Sequence, residues 1–250
     1  MRVGLIGAGN MARALARGWG DPVLCSDSGS GRAAALAAEL GGRAATNVEV
    51  AEEAELVVLC HKPAQLGPVA QQLAGHAKAV ASVIGSATTA DLQGAYPDVP
   101  VFRLMPNTPV ELRRGVSCYA PARAVKPELE RAVITLFERL GSVITVDESL
   151  LDAATSVAGV GPAYQALLAE AQVDAAVRYG LEPALAARLV VETMAGTAAL
   201  LAARDYDTLA VRREVTSPGG STARGLDALE RSGVRAAFGA AIDAVCGSGR

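Results

Sequence analysis

Lysine and histidine are scarce in this chain of 250 residues: the only lysines are Lys62, Lys78 and Lys126, and the only histidines are His61 and His76. Neither residue type occurs beyond Lys126, so the second half lacks two of the side chains that commonly hand over a proton near neutral pH. Cysteine is sparse as well. Cys25, Cys60, Cys118 and Cys246 lie far apart, with no CxxC pair and no histidine at ligand spacing, which argues against a metal site or a disulfide framework. Buried free thiols in a reducing compartment fit better. There is no strong excess of either charge: the formal net charge is −3, which gives no broad pull towards polyanions, so nucleic acid is not an expected partner. Gly7, Gly9 and Asn10 interrupt the first apolar run, and no apolar stretch approaches the roughly 20 residues that span a bilayer. The expectation is a cytoplasmic protein with no membrane partner.

What is present is ordinary globular material, 51% hydrophobic and 20% charged, sufficient for one large core or two smaller ones. From Arg2 to about Asp147, short β-branched runs alternate with alanine-rich stretches. Strands are predicted at Val3–Ile6, Val23–Ser26, Leu56–Cys60, Ala79–Ile84, Val101–Leu104, Val116–Tyr119 and Val143–Val146, with helices such as Met11–Trp19, Gly31–Leu40 and Pro127–Leu140. Alternation of this kind predicts an α/β fold, a doubly wound and mostly parallel sheet covered on both faces. From about Ser149 the rhythm changes to helix alone, at Pro162–Tyr179, Pro183–Ala203, Thr222–Arg231 and Val234–Val245. Two domains follow: residues 1–148, built to bind a dinucleotide, and an all-α domain over residues 149–250. Alanine-rich helix faces such as Ala169, Ala171, Ala175 and Ala176 suit either a dimer interface or a compact monomeric bundle.

The dinucleotide reading rests on Gly7-Ala8-Gly9-Asn10-Met11-Ala12, a GxGxxA turn between a strand and a helix. Gly7 permits the tight turn, Gly9 leaves room for a pyrophosphate, and the helix start at Asn10 and Met11 offers free N–H groups. Asp27 lies 20 positions after Gly7, at the end of the second strand. It reads either as the acceptor for a ribose hydroxyl, favouring NADH, or as the cap of the next helix. Ser26, Ser28, Ser30 and Arg32 around it suit a 2′-phosphate, so NADPH and NADH both stay open. His61-Lys62-Pro63 and Met105-Pro106-Asn107-Thr108-Pro109 follow later strands, where an open parallel sheet collects its ligands, and Asn107 and Thr108 are placed to bond a carboxamide or ribose. Read alone, the second of these loops is equally a stiff turn.

In the helical half, Ser217-Pro218-Gly219-Gly220-Ser221-Thr222 leads into a helix and reads as a nest of donors for a carboxylate or phosphate, or as a plain turn capped by Ser221 or Thr222. A second anion-binding feature is what a small acidic substrate would need. Without lysine or histidine in this half, reduction of a C=N bond is favoured over C=O, because an imine nitrogen can be protonated before the hydride arrives. Tyr164, Tyr179 and Tyr206 keep a carbonyl substrate open.

Taken together, Gly7–Ala12, Lys62-Pro63, Met105–Pro109, Gly161-Pro162-Ala163-Tyr164 and Ser217–Thr222 resemble the pyrroline-5-carboxylate reductase family in order and spacing over nearly the full chain. The resemblance implies a Rossmann-type first domain, hydride transfer from NADPH or NADH to 1-pyrroline-5-carboxylate to give L-proline, and cofactor contacts at Gly7, Gly9, Asn10, Met11, Ser26, Asp27, Lys62, Pro63, Met105, Pro106 and Asn107. It implies substrate contacts at Ser217, Gly219, Gly220 and Ser221, with Thr222 beside the ring as the catalytic candidate, and no metal. It also implies a homodimer or a dimer-based decamer, with active sites formed between subunits. Asp205 aligns roughly with an acidic residue of the substrate pocket. One departure stands out. Where the family reads Ser-Gly-Ser-Gly-Pro-Ala-Tyr, this chain has Val160 at the second serine, a side chain that cannot donate a proton. A reductase of another cyclic imine carboxylate and a non-catalytic nucleotide-binding regulator are therefore carried as alternatives.

Overall fold

The computed structural model describes residues 1–122 and 124–247. They form two compact units, Met1–Pro162 and the helices from Ala163 onward. The first is built on eight strands: β1 (Val3–Ile6), β2 (Leu24–Ser26), β3 (Arg43–Ala44), β4 (Leu56–Leu59), β5 (Val80–Ser82), β6 (Val101–Pro106), β7 (Gly115–Ala120) and β8 (Gly141–Thr145). Their order across the sheet is 3-2-1-4-5-6-7-8. All neighbours run parallel except β6 and β7, which pair antiparallel with Met105 opposite Cys118. The chain order reverses at β1, which is where a doubly wound sheet opens its ligand crevice.

Buried strands present side chains to both faces, and the residues alternate accordingly. Leu56 and Val58 enter the core beneath α1 (Asn10–Trp19), α2 (Arg32–Leu40) and the later α6 (Pro127–Glu138), while Val57 and Leu59 enter a second core. That second core lies beneath α3 (Asn47–Glu53), α4 (Leu66–Leu73) and α5 (Thr89–Ala95), which cover the opposite face. A third, smaller cluster joins Met105, Cys118 and Ala120 to Leu151 of α7 (Leu151–Ala158).

The predicted strands all form, with ends shifted by a residue or two, and the predicted helices form within similar limits. Several elements lie outside the helices and strands expected from sequence. β3 has two residues and so no periodicity to read. α3 and α5 are short, but each begins with a capping box, Thr46 with Glu49 and Thr88 with Asp91, a signal legible in the sequence.

The second unit contains α8 (Gly161–Arg178, its first two residues closing the first unit), α9 (Pro183–Ala202), α10 (Thr208–Glu214), α11 (Ser221–Arg231) and α12 (Val234–Gly247). Tyr164 packs edge-on against Phe238 at 6.3 Å, linking α8 to α12, and Arg212 reaches Glu230 at 3.6 Å, linking α10 to α11. α9 corrects the expectation that no stretch approaches membrane-spanning length. Its 20 residues include a window of mean hydropathy 1.5, long and apolar enough by length and composition to cross a bilayer. Arg188 and Glu192 interrupt the run, but the apolar residues around them keep its average high. Only 6% of that window is buried within the single chain, with Leu189 and Val191 both more than half exposed, so α9 presents apolar surface of the kind a partner covers.

Candidate active site

The glycine turn sets the geometry of the first unit's ligand crevice. Gly7 has φ +103°, and a Cβ there would lie 2.8 Å from the backbone of Cys60, so the turn closes only with glycine. Its N–H donates to the Ser26 carbonyl at 3.0 Å, stitching the turn to the end of β2. A Cβ on Gly9 would meet nothing within 4 Å among the described residues, so the fold itself leaves that space open. Gly9 is the N-cap of α1 and supplies no side-chain bond, and the first turn of α1 holds no acidic residue. The N–H groups of that turn are thus available to an anion, with the helix dipole favouring one.

Beside this turn lies a crevice of about 340 Å³ lined by Gly7, Gly9, Ser26, Asp27, Ser28, Ser30, Arg32, Asn47, His61 and Lys62. The structure thus brings together Gly7, Gly9, Ser26, Asp27 and Lys62 with Ser28, Ser30, Arg32 and His61, all placed near the cofactor from sequence, and adds Asn47. The Ser26 hydroxyl is buried and donates to Asn47 Oδ1 at 2.5 Å, so it acts as a prop for the crevice wall. The Asp27 carboxylate accepts from the Gly29 N–H at 2.8 Å, the Ser30 hydroxyl at 2.8 Å and the Ala33 N–H at 3.0 Å. Of the two readings left open by the sequence, the helix-capping one is realised in these bonds. The Ala33 N–H and then the Ser30 hydroxyl hold the Asp27 carboxyl down at about 2, so it is ionised throughout the physiological range. His61 Nδ1 lies 2.9 Å from the Lys62 carbonyl, which can only accept, so Nδ1 carries the proton and Nε2 is left buried with no partner among the described residues. Burial lowers the pKa of that imidazole and keeps it neutral, and pushes the neighbouring Cys60 thiol up to about 12.

A crevice open at Gly9, floored by uncapped helix N–H groups and flanked by Arg32 and Lys62, fits the phosphates and adenosine end of a nicotinamide dinucleotide. Pro63 opens a short 3-10 turn directly after Lys62, and Met105 and Pro106 end β6 at the carboxyl edge of the sheet. The side chain of Asn107 is engaged by the protein itself. Its amide oxygen accepts from the Val116 N–H at 2.8 Å and its amide nitrogen donates to the Ala158 carbonyl at 3.0 Å, so both ends of the side chain are engaged within the protein.

Arg103, two residues before Met105 on β6, is also buried. Its guanidinium meets Glu148 at 2.6 Å, and Glu148 in turn accepts from the Thr89 N–H at 2.8 Å and the Thr89 hydroxyl at 2.7 Å. Burial would raise the Glu148 carboxyl; the Thr89 bonds and the Arg103 charge outweigh that and hold it below the ordinary carboxylate range.

In the second unit, Val215–Gly220 joins α10 to α11. The Gly220 N–H donates to the Ser217 carbonyl at 3.1 Å, and Arg224 donates to the Gly219 carbonyl at 2.8 Å. α11 starts at Ser221, one residue before the expected start, and its N-cap is Gly220, which provides no side-chain bond. The capped-turn alternative is therefore not realised: Ser221 and Thr222 sit inside the first turn, whose N–H groups are left for an anion. Asp205 lies in the turn between α9 and α10 in the left-handed region, φ +52°. Its neighbour Arg204 pairs with Glu214 at 3.2 Å, directly before the loop at Val215. Val160, in the first unit, sits in the break between α7 and α8, its N–H donating to the Thr155 carbonyl at 3.1 Å.

Both parts of the chain are similar to known proteins. Residues 148–250 match the pyrroline-5-carboxylate reductase dimerisation family, and residues 2–87 match a family described as NADP oxidoreductase, coenzyme F420-dependent. The pyrroline-5-carboxylate reductase of Mycobacterium tuberculosis is 36% identical, with 97% of this chain and 94% of that protein covered. That of Synechocystis is 37% identical, covering 79% of this chain and 75% of that protein. Among solved structures, 1-pyrroline-5-carboxylate reductase from Streptococcus pyogenes superposes with a TM-score of 0.90 at 29% identity, covering 100% of this chain and 98% of that one. The Plasmodium falciparum pyrroline carboxylate reductase, solved with NADP bound, gives 0.89 at 26% identity, covering 100% and 97%.

Fold and site together define an oxidoreductase of the NAD(P)H-dependent class that acts on the bond between carbon and nitrogen. The chain belongs to the pyrroline-5-carboxylate reductase family. Its substrate is a small molecule, and its carboxyl-terminal region is one that serves dimerisation in the family.

Proposed function

We propose that this chain carries out its family's reaction in proline biosynthesis, reducing the C=N bond of 1-pyrroline-5-carboxylate with NADPH or NADH to give L-proline. Residues 1–148 act as the dinucleotide-binding domain and residues 149–250 as the helical dimerisation and substrate domain. A reduced nicotinamide supplies the hydride when bound. Gly7, Gly9, Asn10 and Met11 take the pyrophosphate on the open turn and the first N–H groups of α1. Ser26 and Asp27 shape the adenosine end, and Lys62, Pro63, Met105 and Pro106 edge the rest of the cofactor.

Ser217, Gly219, Gly220 and Ser221 clasp the substrate carboxylate, with Thr222 nearest the ring and Asp205 at the pocket rim. The observation that carries this reading is the uncapped amino terminus of α11 behind Gly220. A helix end with no side-chain cap and no acid in its first turn offers a carboxylate several N–H donors and a favourable dipole. Val160 supplies no proton, so the imine enters already protonated or takes its proton from Thr222 or from water.

The active form is a homodimer in which the apolar surface of α9 is covered, with assembly of dimers into a decamer as the larger form. The protein works in the cytoplasm and engages neither nucleic acid nor membrane. The test is a turnover assay with 1-pyrroline-5-carboxylate and each reduced cofactor, followed at the reduced-nicotinamide absorbance. Consumption of cofactor with formation of proline supports the reading. A clear preference for a six-membered imine carboxylate would move the substrate, and cofactor binding without turnover on any imine would return the regulator reading.

A further inference from the structure

α7 ends at Ala158, and the chain breaks at Gly159–Val160 before α8 begins. The Ala158 carbonyl is therefore among the last four of its helix, which have no partner within it. A half-buried carbonyl left in this state would cost about 1–3 kcal/mol. The missing donor arrives from elsewhere in the chain: Asn107 Nδ2 donates to Ala158 O at 3.0 Å, across 51 residues.

Asn107 can do this because its other atoms are pinned. Its backbone N–H donates to the Val116 carbonyl at 3.1 Å, and its Oδ1 accepts from the Val116 N–H at 2.8 Å. Since Val116 offers an N–H and Ala158 offers a carbonyl, the orientation of the amide is determined by its two partners. The residue is only 8% exposed, and the side chain has no donor left for a ligand beyond the second amide hydrogen.

We infer that Asn107 is a positioning residue for the reduction: it holds the Gly159–Val160 break between α7 and α8 against the end of β6 by donating to the terminal carbonyl of α7. The inference rests on the proposed function only for its kinetic consequence, because Val160 occupies the position that the family's serine takes near the substrate nitrogen. Displacing that break moves the wall of the imine site while leaving the glycine turn and the Asp27–Lys62 crevice untouched.

The test compares Asn107→Asp and Asn107→Ala with the parent. Asn107→Asp keeps the shape and the acceptor for Val116 but turns an oxygen towards the Ala158 carbonyl. Both variants are expected to bind NADPH, measured by fluorescence titration, within about twofold of the parent. Their kcat/KM for the imine carboxylate should fall at least tenfold, about 1.4 kcal/mol of transition-state stabilisation. Hydrogen exchange in the peptide spanning Ala158–Gly161 should accelerate in both. NADPH affinity falling in step with kcat/KM would make Asn107 a direct cofactor ligand and overturn the inference. So would a loss of melting temperature with unchanged kinetic constants and unchanged exchange at 158–161. If the parent itself reduces no imine, the proposed function fails alone, and the exchange measurement still decides whether Asn107 holds the break.

Discussion

The Arg103 guanidinium meets the Glu148 carboxylate at 2.6 Å, with the arginine side chain 5% and the glutamate side chain 37% exposed. One residue lies in the middle of β6 and the other just past β8, so the pair ties the sheet to the turn that leads into α7. Glu148→Ala strands a buried guanidinium. It should cost about 2 kcal/mol, below the range for fully enclosed pairs because Glu148 is partly solvated. Calorimetry should then show the melting temperature falling by about 4–8 °C.

The same pair sets a dependence on acid. The Glu148 carboxyl is held below its ordinary value of 4.5, so its contribution is complete above that pH and is lost as pH falls through the lowered folded value. Melting temperature measured between pH 7 and pH 3 should therefore decline more steeply in the parent than in Glu148→Gln, which has no proton to gain. Parallel curves would refute the assignment.

Gly7 and Gly9 should respond in opposite ways to the same kind of change. Gly7→Ala places a methyl 2.8 Å from the Cys60 backbone at φ +103°, so the fold should lose about 2 kcal/mol or more. Gly9→Val meets no atom of the described residues within 4 Å at its Cβ, so melting should fall by only a few degrees, the cost of a poorer helix cap. Its dissociation constant for NADPH should nonetheless rise at least tenfold, because the added side chain fills the pyrophosphate space. Equal affinity in Gly9→Val would remove the crevice from the cofactor.

Asp27 caps α2 with a carboxylate that is ionised at every working pH. Any 2′-phosphate bound in the crevice lies beside that charge. Asp27→Asn removes the charge and keeps much of the shape, so the ratio of NADPH to NADH affinity should rise about fivefold, near 1 kcal/mol. Melting should fall by only a few degrees, since the Ser30 and Ala33 bonds survive in weaker form. An unchanged ratio would place the ribose elsewhere.

Val160→Ser restores a donor at the break between α7 and α8. If protonation limits the rate, kcat for the imine should rise about threefold or more, with the largest gain at high pH where less substrate arrives protonated. No gain at any pH would mean that this chain takes its proton by another route.

Leu189 and Val191 lie on α9, both more than half exposed in the single chain. Leu189→Asp should weaken self-association, and sedimentation should report monomers at concentrations where the parent is assembled. Persistence of the parent's mass would locate the interface on other helices.

Much of this protein was legible from residue order alone, for a physical reason: the signals concerned are local. Alternating β-branched runs, the Gly7–Ala12 turn, the prolines opening α6 and α9, and the paired glycines before α11 each act over a few neighbouring positions. The two halves, the class of cofactor and the candidate substrate cradle could be read there. What the tertiary structure alone decided was how polar side chains are used. Asp27 had two open roles, and only the fold shows the Ala33 N–H reaching its carboxylate to make the cap. Asn107 gave no sign in sequence that the fold would bring the carbonyl of Ala158, 51 positions away, within 3.0 Å of its amide. Arg103 gave no sign of its partner, because Glu148 is 45 positions distant and only the antiparallel turn of β7 brings it back. Side-chain pairing depends on which strands become neighbours, and that is a property of the folded sheet that no short window of sequence contains.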